Sequence, residues 1–187
     1  MYGFQAYGLD ANSKMLETVS EIASQNILDM QTEDPIGPYY IGGYSFGAII
    51  AYEMAIQLER SGFEVAALYA FDGFPIPLKT AVIVAEYSYT ESLLSILDLF
   101  YEFGNQSSFK KLSVEDLEHL PKALQLSRAY QTLNEADGFR ISEPDFIRFV
   151  TVYLHQSNIL KDYNVNYPEL LTCNVHLFRV RNNELEI

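Results

Sequence analysis

The sequence predicts an α/β fold: a mainly parallel sheet flanked by helices, interrupted by a helical insertion. Three observations predict it. Strand-like and helix-like segments alternate through the first part of the chain. Val65 to Phe71 is an unbroken apolar run, the pattern of a strand covered on both faces. Gly43-Tyr44-Ser45-Phe46-Gly47 lies between the apolar run Tyr39-Tyr40-Ile41 and the helical stretch Ala48 to Arg60, a strand–turn–helix with a serine at the turn.

Each element has a local cause. Tyr2 to Leu9 reads as a strand. Thr18 with Glu21 forms a capping-box pattern, and Val19, Ile22, Ala23, Ile27 and Met30 then share one helical face. Asp34-Pro35-Ile36-Gly37-Pro38 breaks that helix before the elbow strand. In the turn, Gly43 and Gly47 are expected to let strand and helix approach without a Cβ clash. The following helix is expected to put Glu53, Gln57 and Arg60 on a wet face and to end near Gly62. Asp72-Gly73 follows the strand Val65 to Phe71 directly, and Pro75 and Pro77 stop regular structure.

From about Lys79 to Tyr167 the pattern is helical. Leu93, Ile96, Leu97, Phe100 and Phe103 make one stripe, closed by Gly104. Ser113 with Asp116 caps a short helix, Pro121 opens another that runs to Gly138, and Ser142 with Asp145 caps a third carrying Phe146, Val150, Tyr153 and Leu154. Val175 to Val180 returns to strand. The expected organisation is one domain: a core over 1–78, a helical lid insertion over 79–167 and a return to the sheet over 168–187.

Composition narrows the function. The chain has 187 residues, 49% of them hydrophobic, enough for a globular core. A net charge of −13 disfavours nucleic acid and anionic membrane as partners. The lone Cys173 precludes an internal disulfide and reads as a structural thiol. With neither a membrane-length apolar run nor a signal pattern, a cytoplasmic location is expected, and the sequon Asn105-Gln106-Ser107 reads as a chance match. No metal-ligand spacing and no G-x-G-x-x-G nucleotide motif is present, so no metal and no cofactor are expected.

The candidate chemistry is nucleophilic. A serine hydroxyl needs a base, and the base needs an orienting carboxylate. In parallel sheets, sites form at the carboxyl ends of strands. Ser45 and Asp72 both stand at such ends, on strands that a short helical crossover makes neighbours. Asp72 is therefore the candidate carboxylate, and the Phe46 amide, at a helix N-terminus, is a candidate oxyanion donor. The base is not evident. His119 lies in the insertion, His155 on a helix and His176 within the last strand, whereas a triad histidine in such a sheet follows the final strands on a loop over the serine.

Tyr7-Gly8-Leu9, Pro38 to Ala48, Ala51 to Ala55 and Gln57-Leu58-Glu59 resemble the thioesterase domains that end nonribosomal peptide and polyketide synthases. Phe71-Asp72-Gly73-Phe74-Pro75 is similar to the acid-bearing segment of the related fatty-acid synthase thioesterases. The resemblance is strong over residues 1–77, architectural over the insertion, and weak again at Asn174 to Val180. It implies an α/β-hydrolase-type fold with Ser45 as acyl-accepting nucleophile, Asp72 as triad acid and Phe46 as oxyanion amide. It also places the family's histidine beyond Ile187 and its first oxyanion loop before Met1, so the sequence is expected to be trimmed at both ends.

The chemistry that the resemblance implies is acyl transfer from the phosphopantetheine thioester of a carrier protein to Ser45, then release by water or by an internal nucleophile. The implied partners are an acyl or peptidyl carrier protein and upstream synthase modules. Two other readings stay open: a catalytically incomplete fragment that binds acyl chains or a carrier, and a carboxylesterase or lipase.

Overall fold

The computed structural model describes residues 1–10, 13–73, 87–103, 111–135, 140–163 and 171–179. The expectations at Pro75, Pro77, Gly104, Asn105-Gln106-Ser107, Gly138 and Val180 lie outside these residues, as does the side chain of Phe103. The chain divides into two compact units.

The first unit comprises Met1–Phe4, Leu16–Val82 and Asn158–Ile187. Helix α1 (Val19–Glu33) starts where the Thr18 hydroxyl accepts the Glu21 N–H at 3.1 Å, one half of the expected box. The Glu21 carboxylate instead accepts from the Glu17 N–H at 2.9 Å. Strand β1 (Tyr39–Tyr44) leads into α2 (Phe46–Arg60), which ends through Ser61 and Gly62. Gly62 has φ +83, and the Phe63 N–H reaches back to the Leu58 carbonyl at 3.0 Å, closing a Schellman motif. Strand β2 (Val65–Phe71) follows, and β3 (Asn174–Phe178) completes a parallel sheet of order β1-β2-β3 among the described residues.

Register aligns the strand ends: Tyr44 stands beside Phe71, and Phe71 beside Phe178. One sheet face carries Ile41, Gly43, Leu68 and Ala70 against α2, whose Ala48, Ala51, Met54, Ala55 and Leu58 are buried. Each such aliphatic burial contributes roughly 1.5–3 kcal/mol for the larger side chains. The opposite face carries Tyr40, Tyr44, Tyr69, Phe71, His176 and Phe178. Rings pair along it, Tyr69 with His176 at 4.9 Å and Phe71 with Phe178 at 4.8 Å, yet Tyr40, Tyr44, Phe71 and Phe178 remain exposed.

The second unit comprises Gln5–Met15 and Ile83–Ser157. It is helical: α3 (Tyr89–Phe103), α4 (Val114–Leu117), α5 (Lys122–Asn134) and α6 (Glu143–Asp162), the last running on into the residues of the first unit. The expected stripes form its core, with Leu93, Ile96, Leu97, Leu117, Leu133, Phe146 and Val150 buried. Phe100 packs on Phe146 and Phe149. The Ser113 N–H donates to the Asp116 carboxylate at 2.9 Å, and the Asp145 N–H donates to the Ser142 hydroxyl at 3.3 Å, so both short polar patterns start helices.

Three local expectations are corrected. Tyr2 to Leu9 is not a strand: the Leu9 N–H closes a turn onto the Ala6 carbonyl at 3.2 Å, Gly8 has φ +92, and no described strand pairs with the segment. Glu53 is not on a wet face: it is 9% exposed, and its carboxylate accepts from Gln57 at 2.9 Å and from the Tyr163 hydroxyl at 2.7 Å. Val65 to Phe71 is not covered on both faces: Leu68 and Ala70 are buried on one, and the other opens at Tyr69 and Phe71.

Candidate active site

The site is assembled at the row of strand ends. Ser45 follows β1 with φ 51 and ψ −118, backbone that a residue with a Cβ adopts at a cost on the order of 1–3 kcal/mol. Two contacts hold it there. Its N–H donates to the Phe71 carbonyl at 2.8 Å, and its carbonyl accepts from the Ala48 N–H at 3.0 Å at the start of α2. The Ser45 side chain is exposed and does not cap the helix. The hydroxyl thus projects at the positive end of the α2 dipole, beside the amides that a helix start leaves without intrahelical partners. Phe46, the first residue of α2, supplies the nearest of these amides in sequence.

Asp72 occupies the matching place on the next strand. It too has positive φ, at 52, and its N–H donates to the Phe178 carbonyl at 2.8 Å. Ser45 and Asp72 therefore leave adjacent strand ends with nearly equal positive φ. Tyr44, 62% exposed, ends β1 on the aromatic face.

The two elbow glycines are not equivalent. A Cβ on Gly43 would overlap the Gly47 carbonyl and approach the Ala48 nitrogen to 2.6 Å, so strand and helix cross here only because Gly43 has no side chain. A Cβ on Gly47 would meet nothing within 4 Å. The expectation that both glycines relieve a clash holds for Gly43 and is corrected for Gly47, whose Cβ position is open.

The histidines do not join this pair within the unit that holds it. His176 is in that unit but within β3, at the level of Gly42 and Tyr69 and two residues short of the strand end, with its ring stacked on Tyr69. His119 and His155 belong to the other unit, where the His119 Nδ1 lies 3.1 Å from the Glu115 carbonyl. Cys173 immediately precedes β3, and burial and then the nearby Glu59 carboxylate push its thiol above its ordinary value. That suits a structural thiol better than a nucleophile. Among the described residues no cluster of His, Cys, Asp and Glu could hold a metal ion, and no helix is long and apolar enough to cross a membrane.

Comparison with known proteins identifies the family. Residues 1–164 match the family model of the thioesterase domain. The chain belongs to the thioesterase domain family. It is 43% identical to an indigoidine synthase of Streptomyces lavendulae over 68 residues, covering 36% of this chain and 5% of that protein. It is 30% identical to the polyketide synthase PksR of Bacillus subtilis (strain 168) over 146 residues, 73% of this chain and 6% of the synthase. Among solved structures, the four-domain nonribosomal peptide synthetase AB3403, bound to AMP and glycine, superposes with TM-score 0.78 at 26% identity, over 97% of this chain and 14% of that one. This thioesterase domain thus spans a small fraction of the multidomain synthetases it matches.

Two features of this fold were not visible in the sequence. Gly73 packs against the Ser45 main chain, a contact that the Asp72-Gly73 pair does not announce in the sequence. Glu59, near the end of α2, accepts the Thr172 and Cys173 N–H groups at 2.9 and 3.0 Å and so anchors the entry to β3, across a separation that leaves no local signal.

Proposed function

We propose that this thioesterase domain is a serine enzyme that releases an acyl or peptidyl chain from the phosphopantetheine thioester of a carrier protein or upstream synthase module. The observation that carries the reading is the pair of positive-φ residues, Ser45 and Asp72, on adjoining strand ends at the start of α2. In the proposed step the Ser45 hydroxyl oxygen attacks the thioester carbonyl. A C–O bond forms, the carbonyl oxygen takes negative charge beside the Phe46 N–H, and the C–S bond breaks. The hydroxyl proton passes through a base to the departing thiol, with Asp72 orienting that base. Water, or a nucleophile within the chain itself, then cleaves the acyl-serine ester.

The test is labelling by a fluorophosphonate followed by peptide mass analysis. Modification at Ser45, lost in Ser45→Ala, is the expected result; an unmodified Ser45 under conditions that label a known serine hydrolase refutes it. The position of His176, inside β3 and stacked on Tyr69, favours a second reading in which the chain binds acyl groups or a carrier without turning them over. Acyl-thioester binding without acylation of Ser45 would support that reading.

A further inference from the structure

We infer that Gly73 is a positioning residue for the oxyanion donor: it fixes the Ser45–Phe46 peptide and, with it, the direction of the Phe46 N–H. This rests on the acyl-serine reading above. The observation is steric. A Cβ at Gly73 would overlap the Ser45 carbonyl oxygen and stand 2.8 Å from its carbonyl carbon and 2.9 Å from its Cα. These are main-chain atoms, which cannot swing aside as a flexible side chain can. Gly8, Gly37 and Gly62 have positive φ, whereas Gly73 does not. Positive φ is therefore not what calls for glycine at position 73; the contact with the Ser45 main chain does.

The atoms it touches make the contact specific. The Ser45 carbonyl and the Phe46 N–H belong to one planar peptide unit, so a push on the carbonyl turns the amide. That carbonyl also accepts the Ala48 N–H at 3.0 Å, which ties it to the first turn of α2. The turn that pushes is itself anchored, because the Asp72 N–H is held by the Phe178 carbonyl and the Phe71 carbonyl accepts the Ser45 N–H, each at 2.8 Å. A methyl group at position 73 therefore meets two restrained main chains. The shift that such a methyl group forces on the Ser45 carbonyl is a tilt of the Ser45–Phe46 peptide plane. The segment carrying the candidate acid thus sets the geometry of the candidate oxyanion donor by direct backbone contact.

The experiment compares two reactions of one nucleophile. In the Ser45→Cys chain, acylation by an octanoyl thioester of N-acetylcysteamine passes through an oxyanion: the introduced thiolate adds to the carbonyl, the new C–S bond forms, and the N-acetylcysteamine thiolate leaves and takes a proton from water. Alkylation of the same thiolate by iodoacetamide displaces iodide at carbon and forms no oxyanion. Peptide mass analysis separates position 45 from Cys173. Adding Gly73→Ala is expected to slow acylation at least tenfold, toward the roughly 10²–10³-fold cost of losing one oxyanion donor. Alkylation should stay within roughly threefold, since thiolate formation governs it. Equal slowing of both reactions, or of neither, overturns the positioning role. Where Gly73→Ala lowers stability, both reactions are run in an osmolyte that favours the compact state; failure to fold even there makes Gly73 a folding requirement and overturns the inference. Absence of acylation with Gly73 intact refutes the acyl-serine reading itself, and the positioning role with it.

Discussion

Replacing Gly43 by Ala tests the elbow most directly, because the structure predicts opposite outcomes for its two glycines. An added methyl at Gly43 has the Gly47 carbonyl in its way and the Ala48 nitrogen at 2.6 Å, well inside ordinary contact. Neither obstacle can rotate away. To make room, α2 must lift from β1, and the Ser45 carbonyl, which accepts the Ala48 N–H at 3.0 Å, is drawn with it. Overpacking of this kind costs about 1–3 kcal/mol, and overlap with main-chain atoms rather than a flexible side chain places Gly43→Ala at about 3. For a chain of this length that lowers the melting midpoint by roughly 6–12 °C. Gly47→Ala meets no atom within 4 Å and exchanges a poor helix former for the best one, so it changes stability by no more than about 1 kcal/mol, in the favourable direction. Urea midpoints followed by circular dichroism measure both variants against the parent chain. A Gly43→Ala midpoint indistinguishable from the parent, or a Gly47→Ala loss as large as that of Gly43→Ala, would refute the steric account.

Other expectations follow from the same contacts. Asp72→Asn should lower the rate of Ser45 acylation by about 10⁴ while the circular dichroism spectrum is unchanged, since an amide cannot orient and charge-stabilise a base as a carboxylate does; retention of the rate would remove Asp72 from the mechanism. Glu53→Leu removes a buried carboxylate that accepts from the Tyr163 hydroxyl, a loss of about 1–3 kcal/mol in urea titration, whereas exposed Glu33→Leu should change little. The Cys173 thiol keeps its proton in the folded chain at pH values where the unfolded chain gives it up. Its contribution is therefore constant below the ordinary thiol range and is lost as pH rises from there through the raised folded value. Urea midpoints taken across alkaline pH should fall more steeply for the parent than for Cys173→Ala.

Much of this architecture is written locally. The elbow was legible because Gly43 and Ser45 lie between an apolar strand and an apolar helix, and the packing at Gly43 explains why that spacing must hold. The helices of the second unit were legible from their stripes, since Leu93, Ile96 and Leu97 pack as their periodicity requires. What escaped depends on partners far along the chain. Glu53 looks solvated until Tyr163 arrives from another segment, and Gly73 looks like an ordinary turn residue until Ser45 is beside it. Tyr2 to Leu9 has strand-like composition, but a strand exists only through a neighbour, and here the backbone folds into a turn at Gly8 instead.

The matched left-handed residues at the sheet rim carry one more consequence. Ser45 and Asp72 hold conformations that glycine adopts freely, so Ser45→Gly and Asp72→Gly should each relax the backbone and resist unfolding better than alanine at the same position. Under the acyl-serine reading proposed above, robustness and reactivity thus pull against each other at two neighbouring residues, and a sturdier version of this rim would be a chemically silent one.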